Sequence, residues 1–213
     1  ALKGLGLQRQ DRVAIMADNC HQFVEAIGAC AKGGFILTSL STKLQNELTA
    51  IVTNARPTAM IVSTNYLAKV KPDWDFIKHI ISIGKGSEGV MDYEKLIAEY
   101  PADEPASSVE EDDILLLYYT SGTTSLPKGA ALSHKAVLAN AVNTIFSRQM
   151  TAEGRNLIVH PMFFSAPING TMLPMLYLGC SIVILDSFDP QTFLAAVEKE
   201  KITHVIVAPT MLI

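Results

Sequence analysis

Short runs of valine, isoleucine and leucine alternate along this chain with amphipathic segments of helical length, and this alternation constrains the fold strongly. The runs at 12–16, 59–62 and 79–83 lack polar alternation, which is typical of parallel strands buried on both faces. Helical periodicity follows at 22–32, before a Gly-Gly pair, and at 44–54. Strands that alternate with helices predict βαβ units and an α/β fold, with layered, parallel-rich sheets flanked by helices.

An acidic segment divides the chain. Residues 101–113 hold six carboxylates, two prolines and no basic residue, which is typical of a solvated linker; a metal site is the alternative. We therefore predict a first α/β subdomain at 1–100 and a second at 114–213. The second begins with a strand at 114–120 and continues through a polar loop to a helix from His134. Its later predicted elements are strands at 156–159, 181–185 and 205–207 and helices near 168–178 and 190–201.

Composition excludes several classes of function. The 213 residues include 17 basic and 21 acidic side chains, a formal net charge of −4, so the basic excess of nucleic-acid-binding proteins is missing. No apolar run is long enough to span a bilayer, and Lys3 and Arg9 interrupt any signal-peptide core. Three widely spaced cysteines, Cys20, Cys30 and Cys180, predict buried free thiols in a reducing cytoplasm.

Both ends of the chain have the pattern of an interrupted domain. The mean hydropathy of +0.26 is high for a free-standing domain in which 18% of residues are charged. The first residues resemble the end of a helix, and residues 204–213 have a buried-strand pattern with nothing after them. We therefore expect a piece of a longer chain, whose other parts cover apolar surface.

The loop after strand 114–120 has the composition of a phosphate-binding site. Residues 120–129 are TSGTTSLPKG, which is six small residues followed by Leu-Pro-Lys-Gly. Gly122 permits a close approach of the backbone to a ligand, successive N–H groups can form an anion nest, and Lys128 supplies a positive charge. The loop follows a parallel strand, at whose carboxyl end α/β proteins bind ligands. It differs from a Walker A loop, because no Ser or Thr follows the lysine. A solvent-exposed Ser/Thr loop is the simpler alternative.

The longer string at 119–130, YTSGTTSLPKGA, with Ser133 and His134 beyond it, resembles the signature of the adenylate-forming superfamily. That superfamily includes acyl-CoA synthetases, coumarate-CoA ligases, luciferases and peptide-synthetase adenylation domains. Similar segments extend the resemblance to most of the chain, at 6–15, 29–34, 188–190 and 208–212. The resemblance implies part of the N-terminal domain of such an enzyme, most like a fatty-acid or related carboxylate–CoA ligase.

In this family a carboxylate attacks the α-phosphate of ATP, giving an acyl-adenylate and pyrophosphate, and a thiol, usually that of coenzyme A, then takes the acyl group. The resemblance implies that Lys128 is catalytic and that Thr123, of the Thr123-Thr124 pair, helps to hold Mg²⁺. No protein nucleophile is needed, so His134 is interpreted as a helix-start residue rather than a base. The implied ATP-binding residues are Thr120, Ser121, Gly122, Thr123, Thr124, Lys128 and Gly129.

Two positions depart from the family pattern. Ser125 stands at the glycine of TTGxPKG, and Phe164 stands where many members have the histidine of PLFH. Phe164 follows the predicted strand 156–159, and small residues such as Gly170 leave room beside its ring. We therefore predict that Phe164 and Gly170 line a pocket for an apolar carboxylic acid. Core packing is the alternative, and it is the preferred interpretation of Phe163.

The expected substrates are a small-molecule carboxylic acid of unspecified chain length, ATP and CoA. The remainder of its own chain is an expected partner, and homodimerisation is left open. Two alternatives remain: an adenylation domain that loads a carrier protein, and a catalytically inactive nucleotide-binding module. The family's Mg²⁺-binding glutamate, ribose-binding aspartate and C-terminal lysine lie beyond Ile213, so the 213 residues alone are expected not to form acyl-adenylate.

Overall fold

The apolar runs of the sequence form the strands of two separate sheets in the computed structural model, which describes residues 1–106, 108–120 and 127–211. Two compact units contain these sheets. The first comprises Ala1–Ala17 and Gln22–His134, and the second comprises Asp18–His21 and Lys135–Ile213. Among the described residues, every helix is too short or too polar to cross a bilayer.

The first unit contains a seven-stranded sheet in the order β5-β4-β3-β1-β2-β6-β7. All neighbouring strands pair in parallel except β6 and β7, which are antiparallel. Four of the five residues of β1 are buried, as expected for a strand covered on both faces. The predicted parallel-rich α/β class is thus confirmed. The strands are β1 (Arg12–Met16), β2 (Ile36–Ser39), β3 (Ala59–Ser63), β4 (His79–Ile83), β5 (Met91–Asp92), β6 (Ile114–Thr120) and β7 (Lys128–Ser133).

Three helices follow strands of this sheet or connect them: α1 (His21–Gly33), α2 (Asn46–Ala55) and α3 (Tyr93–Ala98). The chain leaves α1 through Gly34, whose φ of 76° is one that glycine adopts without strain. The buried face of α2 includes Leu48 and Val52, which pack in one apolar cluster with Met60 of β3. Helical periodicity in the sequence therefore corresponds to burial against the sheet.

The second unit contains a three-stranded parallel sheet in the order β10-β8-β9. Its last helix, α7, begins after Asp189, whose carboxylate accepts a hydrogen bond of 2.8 Å from the Thr192 N–H and caps the helix. The strands are β8 (Arg155–Ile158), β9 (Ser181–Ile184) and β10 (His204–Val205). The helical elements are α4 (His134–Ser147), α5 (Ser165–Pro167), a π-helical turn (Ile168–Met172), α6 (Leu173–Tyr177) and α7 (Pro190–Glu200).

Four of the labelled elements of the first unit are absent from the sequence prediction: β2, β5, β7 and α3. β2 has four residues, two of them the polar Thr38 and Ser39, and β7 is a largely exposed edge strand with the sequence KGAALS. Such short strands depend on pairing with neighbours rather than on a local apolar pattern. Here β2 pairs with both β1 and β6, and β7 pairs with β6.

The division of the chain also differs from the predicted subdomains at 1–100 and 114–213. β6 pairs with β2 through Leu37 and Leu116, so the chain as far as His134 belongs to the first unit. Local composition gives no information about such pairing. Most described residues of 101–113 are exposed, as predicted for a linker, whereas Asp113 is buried.

Asp113 anchors the end of this acidic segment. The Arg9 guanidinium donates two hydrogen bonds to its carboxylate, from Nε to Oδ2 at 2.8 Å and from Nη2 to Oδ1 at 2.7 Å. The Glu110 N–H also donates to Asp113 Oδ2, at 3.1 Å. The bond from Arg9 holds the pKa of Asp113 below its ordinary value, although burial acts in the opposite direction.

We expect Asp113→Asn to lower the free energy of unfolding at neutral pH, because a bidentate ion pair is lost. The folded-state pKa of Asp113 is lowered, so its contribution is complete above the unfolded-state value of about 4 and disappears as pH falls through the folded-state value. Urea unfolding of wild type and variant should therefore converge once the pH falls below the lowered folded-state pKa of Asp113. Glu104→Gln, which removes an exposed pair with Lys32, is the control and should change little. A difference independent of pH would contradict the prediction.

The three cysteines, all among the described residues, form no disulfide. Cys30 and Cys180 are buried as predicted, whereas Cys20 is only half-buried, so that part of the prediction is wrong. Burial raises the pKa of the Cys30 thiol, which makes its reactive thiolate form rare.

Candidate functional site

The structure describes the two stems of the candidate phosphate loop. Thr120 ends β6, Lys128 begins β7, and the two residues are antiparallel partners. The Cα atoms of such partners lie about 5 Å apart. Both residues therefore lie at the carboxyl end of β6, the sheet edge where α/β proteins bind ligands. Four of the predicted ATP-binding residues, and the unusual serine, lie outside the described residues: Ser121, Gly122, Thr123, Thr124 and Ser125.

Lys128 is exposed at the start of an edge strand. Within the described ranges, no carboxylate forms an ion pair with its ammonium group. The sequence predicts a loop at Lys128 and Gly129, but pairing with Thr120 and Tyr119 makes them part of β7. The lysine thus begins a hydrogen-bonded strand, and its charge remains available for an anion.

Gly129 has a packing role that the sequence does not predict. A Cβ atom at this position would lie 3.0 Å from Leu117 Cδ1 and 3.3 Å from Tyr119 Cζ. The Tyr119 hydroxyl donates to Asn54 Oδ1 on α2 at 2.6 Å. Burial raises the pKa of Tyr119, so the hydroxyl is protonated and able to donate at neutral pH. The missing side chain at Gly129 lets the tyrosine ring pack across the hairpin, while a role for Gly129 in ATP binding stays a prediction.

Gly129→Ala is expected to destabilise the protein by about 1 kcal/mol, because the added methyl must displace the Tyr119 ring or Leu117 by a few tenths of an ångström. Gly28→Ala is the matched control. A Cβ at Gly28 would meet no atom within 4 Å, and helix propensity favours alanine there by up to about 1 kcal/mol. Urea unfolding should therefore give opposite signs for the two variants; the same sign for both would contradict this packing role.

His134 is the first residue of α4, in keeping with its interpretation as a helix-start residue. Its N–H donates to the Asp113 carbonyl at 2.9 Å. Nε2 is buried and has no hydrogen-bond partner among the described residues. Burial lowers the pKa of His134, although the Asp113 carboxylate acts in the opposite direction. The imidazole is therefore neutral at neutral pH.

In the second unit, Phe164 lies in the segment after β8. Its N–H donates to the Pro161 carbonyl at 3.1 Å, and its ring lies 4.6 Å from the Phe163 ring, centroid to centroid. Phe163 is 7% exposed, whereas Phe164 is 55% exposed. Core packing therefore describes Phe163 and not Phe164, whose place in an acid pocket stays a prediction.

Gly170 lies within the π-helical turn Ile168–Met172, an irregularity that is frequent at functional sites. A Cβ at Gly170 would lie 2.7 Å from Ile206 Cδ1. The space predicted beside Gly170 is thus occupied by Ile206 in this structure. Contact between Gly170 and a substrate stays a prediction.

A metal site receives no support from the described residues, which contain no group of three His, Cys, Asp or Glu side chains able to hold a metal ion. Thr123, the residue expected to contact Mg²⁺, lies outside them.

Sequence reasoning missed two residues with structural roles near the predicted site residues, Tyr119 and Asn19. Their positions in the sequence could have indicated a role, because Tyr119 is near the end of β6, just before the candidate phosphate loop, and Asn19 follows the carboxyl end of β1.

The whole chain, residues 1–213, matches the model of the AMP-binding enzyme family. The chain belongs to this family. Feruloyl-CoA synthase of an Amycolatopsis species is 30% identical over 211 residues, which cover 99% of this chain and 41% of that protein. Indoleacetate–CoA ligase of Aromatoleum aromaticum is 29% identical over 216 residues, which cover 100% of this chain and 42% of that protein. The structure of the anthranilate CoA ligase AuaEII in complex with anthranoyl-AMP has a TM-score of 0.91 and 26% identity, and covers 99% of this chain and 42% of that one.

Membership of the AMP-binding family confirms the resemblance drawn from residues 119–130, and the structural similarity confirms the fold class. The chain spans less than half the length of the relatives named above. Each of these three relatives is named as a CoA ligase or synthase.

Proposed function

We propose that this family member is an ATP-dependent carboxylate–CoA ligase. An oxygen of the carboxylate attacks the α-phosphorus of ATP, the bond to the pyrophosphate oxygen breaks, and an acyl-adenylate forms. The sulfur of CoA then attacks the acyl carbonyl carbon, and AMP leaves. The main support is the pairing of Thr120, which ends the parallel strand β6, with Lys128, which begins β7, in a member of the AMP-binding family.

In this scheme the protein acts by positioning and charge neutralisation, and no side chain becomes a nucleophile. Lys128 contacts the phosphates of ATP and neutralises the charge that develops on the departing pyrophosphate. Hydroxyl and backbone N–H groups of residues 120–124, together with Gly129, complete the proposed phosphate site. Mg²⁺ bound with ATP supplies further charge neutralisation, and Thr123 is the residue proposed to hold it.

The proposed acyl substrate is an acid with an apolar body. The exposed ring of Phe164 offers an apolar wall with no polar atom that needs a partner. Three relatives are named for ferulate, indoleacetate and anthranilate, which are aromatic acids, so we place aromatic acids first. Fatty acids, expected from the sequence resemblance, are the second class. The reaction is placed in the cytoplasm, in keeping with three cysteines that form no disulfide.

The test is acid-dependent exchange of labelled pyrophosphate into ATP by the full-length protein, with a panel of aromatic and fatty acids. Exchange with at least one acid, followed by formation of its CoA thioester, is the expected result. Exchange without a thioester would contradict the CoA step and indicate another acceptor, such as a carrier protein. Nucleotide binding without exchange for any acid would contradict the proposal and favour an inactive nucleotide-binding module.

A further inference from the structure

Asn19 is a buried side chain of the second unit, 5% exposed, that joins the segments following two strands. Its Nδ2 donates to the His160 carbonyl at 3.0 Å and to the Leu185 carbonyl at 3.0 Å. Its Oδ1 accepts from the Met162 N–H at 2.8 Å. His160 and Met162 follow β8, and Leu185 directly follows β9. One amide group therefore links the carboxyl ends of two parallel strands.

The partners of Asn19 require an amide. Two carbonyl oxygens need donors and one N–H needs an acceptor, and an amide provides both on one planar group. A carboxylate would place negative charge against two carbonyl oxygens. An aliphatic side chain would remove a partner from two part-buried carbonyl groups and from the buried Met162 N–H. Hydrogen bonding to these three backbone groups, and not packing volume alone, therefore favours asparagine at position 19.

The turn held by Asn19 leads directly to Phe164. The Phe164 N–H donates to the Pro161 carbonyl and closes the turn, and Met162 within it is 1% exposed. Phe163 is buried, and its ring packs against that of Phe164. The position of the exposed Phe164 ring thus depends on the backbone of the turn, and Asn19 fixes that backbone from both sides of Pro161.

We infer that Asn19 is a positioning residue for the acyl substrate, because it holds the turn so that the Phe164 ring contacts the carboxylic acid. The turn lies at the carboxyl end of β8, the end of a parallel strand at which α/β proteins bind ligands. The inference rests on the proposed function, since it requires an acid that contacts Phe164. Asn19 itself contacts no reacting atom in this scheme.

The experiment compares Asn19→Leu and Asn19→Asp in the full-length protein with the acid that supports the fastest exchange. Asn19→Leu is expected to raise the KM for the acid about tenfold while the KM for ATP changes less than about twofold. Asn19→Asp keeps the acceptor for Met162 but sets a carboxylate against two carbonyl oxygens, so it is also expected to raise the KM for the acid. Met175→Ala is the control, because Met175 is buried in the same unit with Met150 and Cys180; it should lose stability without a change in the KM for the acid.

Hydrogen exchange of the Met162 amide provides a readout independent of activity. Asn19→Leu should accelerate hydrogen exchange there beyond any increase that the destabilised control Met175→Ala shows. If Asn19→Leu does not fold, a rise in the KM for the acid in Asn19→Asp beyond that of Met175→Ala is the expected result.

If the wild-type protein is active and the Asn19 substitutions leave the KM for the acid unchanged, this inference alone is overturned. Unchanged hydrogen exchange of the Met162 amide in Asn19→Leu would overturn it as well. A wild-type protein that activates no acid would overturn the proposed function and the inference with it. Hydrogen exchange of the Met162 amide would still show whether Asn19 holds the turn. Failure of the inference can therefore be distinguished from failure of the proposed function.

Discussion

Lys128→Ala is expected to slow adenylation by the full-length protein about 10- to 150-fold, which corresponds to the loss of a charge-assisted contact of roughly 1.5–3 kcal/mol. Lys128 lies opposite Thr120 at the carboxyl end of β6, exposed and with no carboxylate paired to it among the described residues. Its charge is therefore available to neutralise the departing pyrophosphate. The measurement is rapid-quench pyrophosphate release at saturating ATP and acid.

Two further variants distinguish the effect of the charge at position 128 from the effect of removing a positive charge anywhere on the protein. Lys95→Ala removes the same charge from an exposed position on α3 and should leave adenylation unchanged. Lys128→Arg keeps the charge with a different geometry and should retain more activity than Lys128→Ala. Equal adenylation rates for wild type and Lys128→Ala at saturating ATP would exclude the proposed role.

Strands with continuous apolar runs could be predicted from the sequence, and the bounds of three of them are those predicted. The apolar runs at β1, β4 and β6 have the predicted bounds, because a strand covered on both sides needs apolar residues at successive positions. β2 and β7 could not be predicted in this way, since polar or small residues form them and pairing with β6 stabilises them. The same pairing explains why the first unit extends to His134.

The candidate site could be predicted only as far as local composition defines it. The run of small residues and Lys128 identify a phosphate loop because their chemistry is contiguous in sequence. The contact of Gly129 with Tyr119 requires the hairpin register, and the bond from Asn19 to Leu185 joins residues 166 positions apart. No local pattern contains such relations, because they arise only when the strands have been placed side by side.

Phe164→Ala is expected to raise the KM for an apolar acid about 5- to 150-fold, from a loss of roughly 1–3 kcal/mol of apolar contact, with the KM for ATP nearly unchanged. Because the ring is 55% exposed, its truncation should cost little folding stability, and the loss should appear in acid binding. Steady-state kinetics with each substrate varied in turn provide the measurement.

Phe146→Ala is the matched control, since Phe146 is a second phenylalanine of the same unit, 78% exposed, on α4. An increase in the KM for the acid in Phe164→Ala no larger than in Phe146→Ala would show that Phe164 is an ordinary surface residue. Phe164→His then tests the chemistry of the pocket wall. An imidazole covered by an apolar acid has nitrogen atoms that need hydrogen-bond partners, so this variant should discriminate against apolar acids more strongly than Phe164→Leu does.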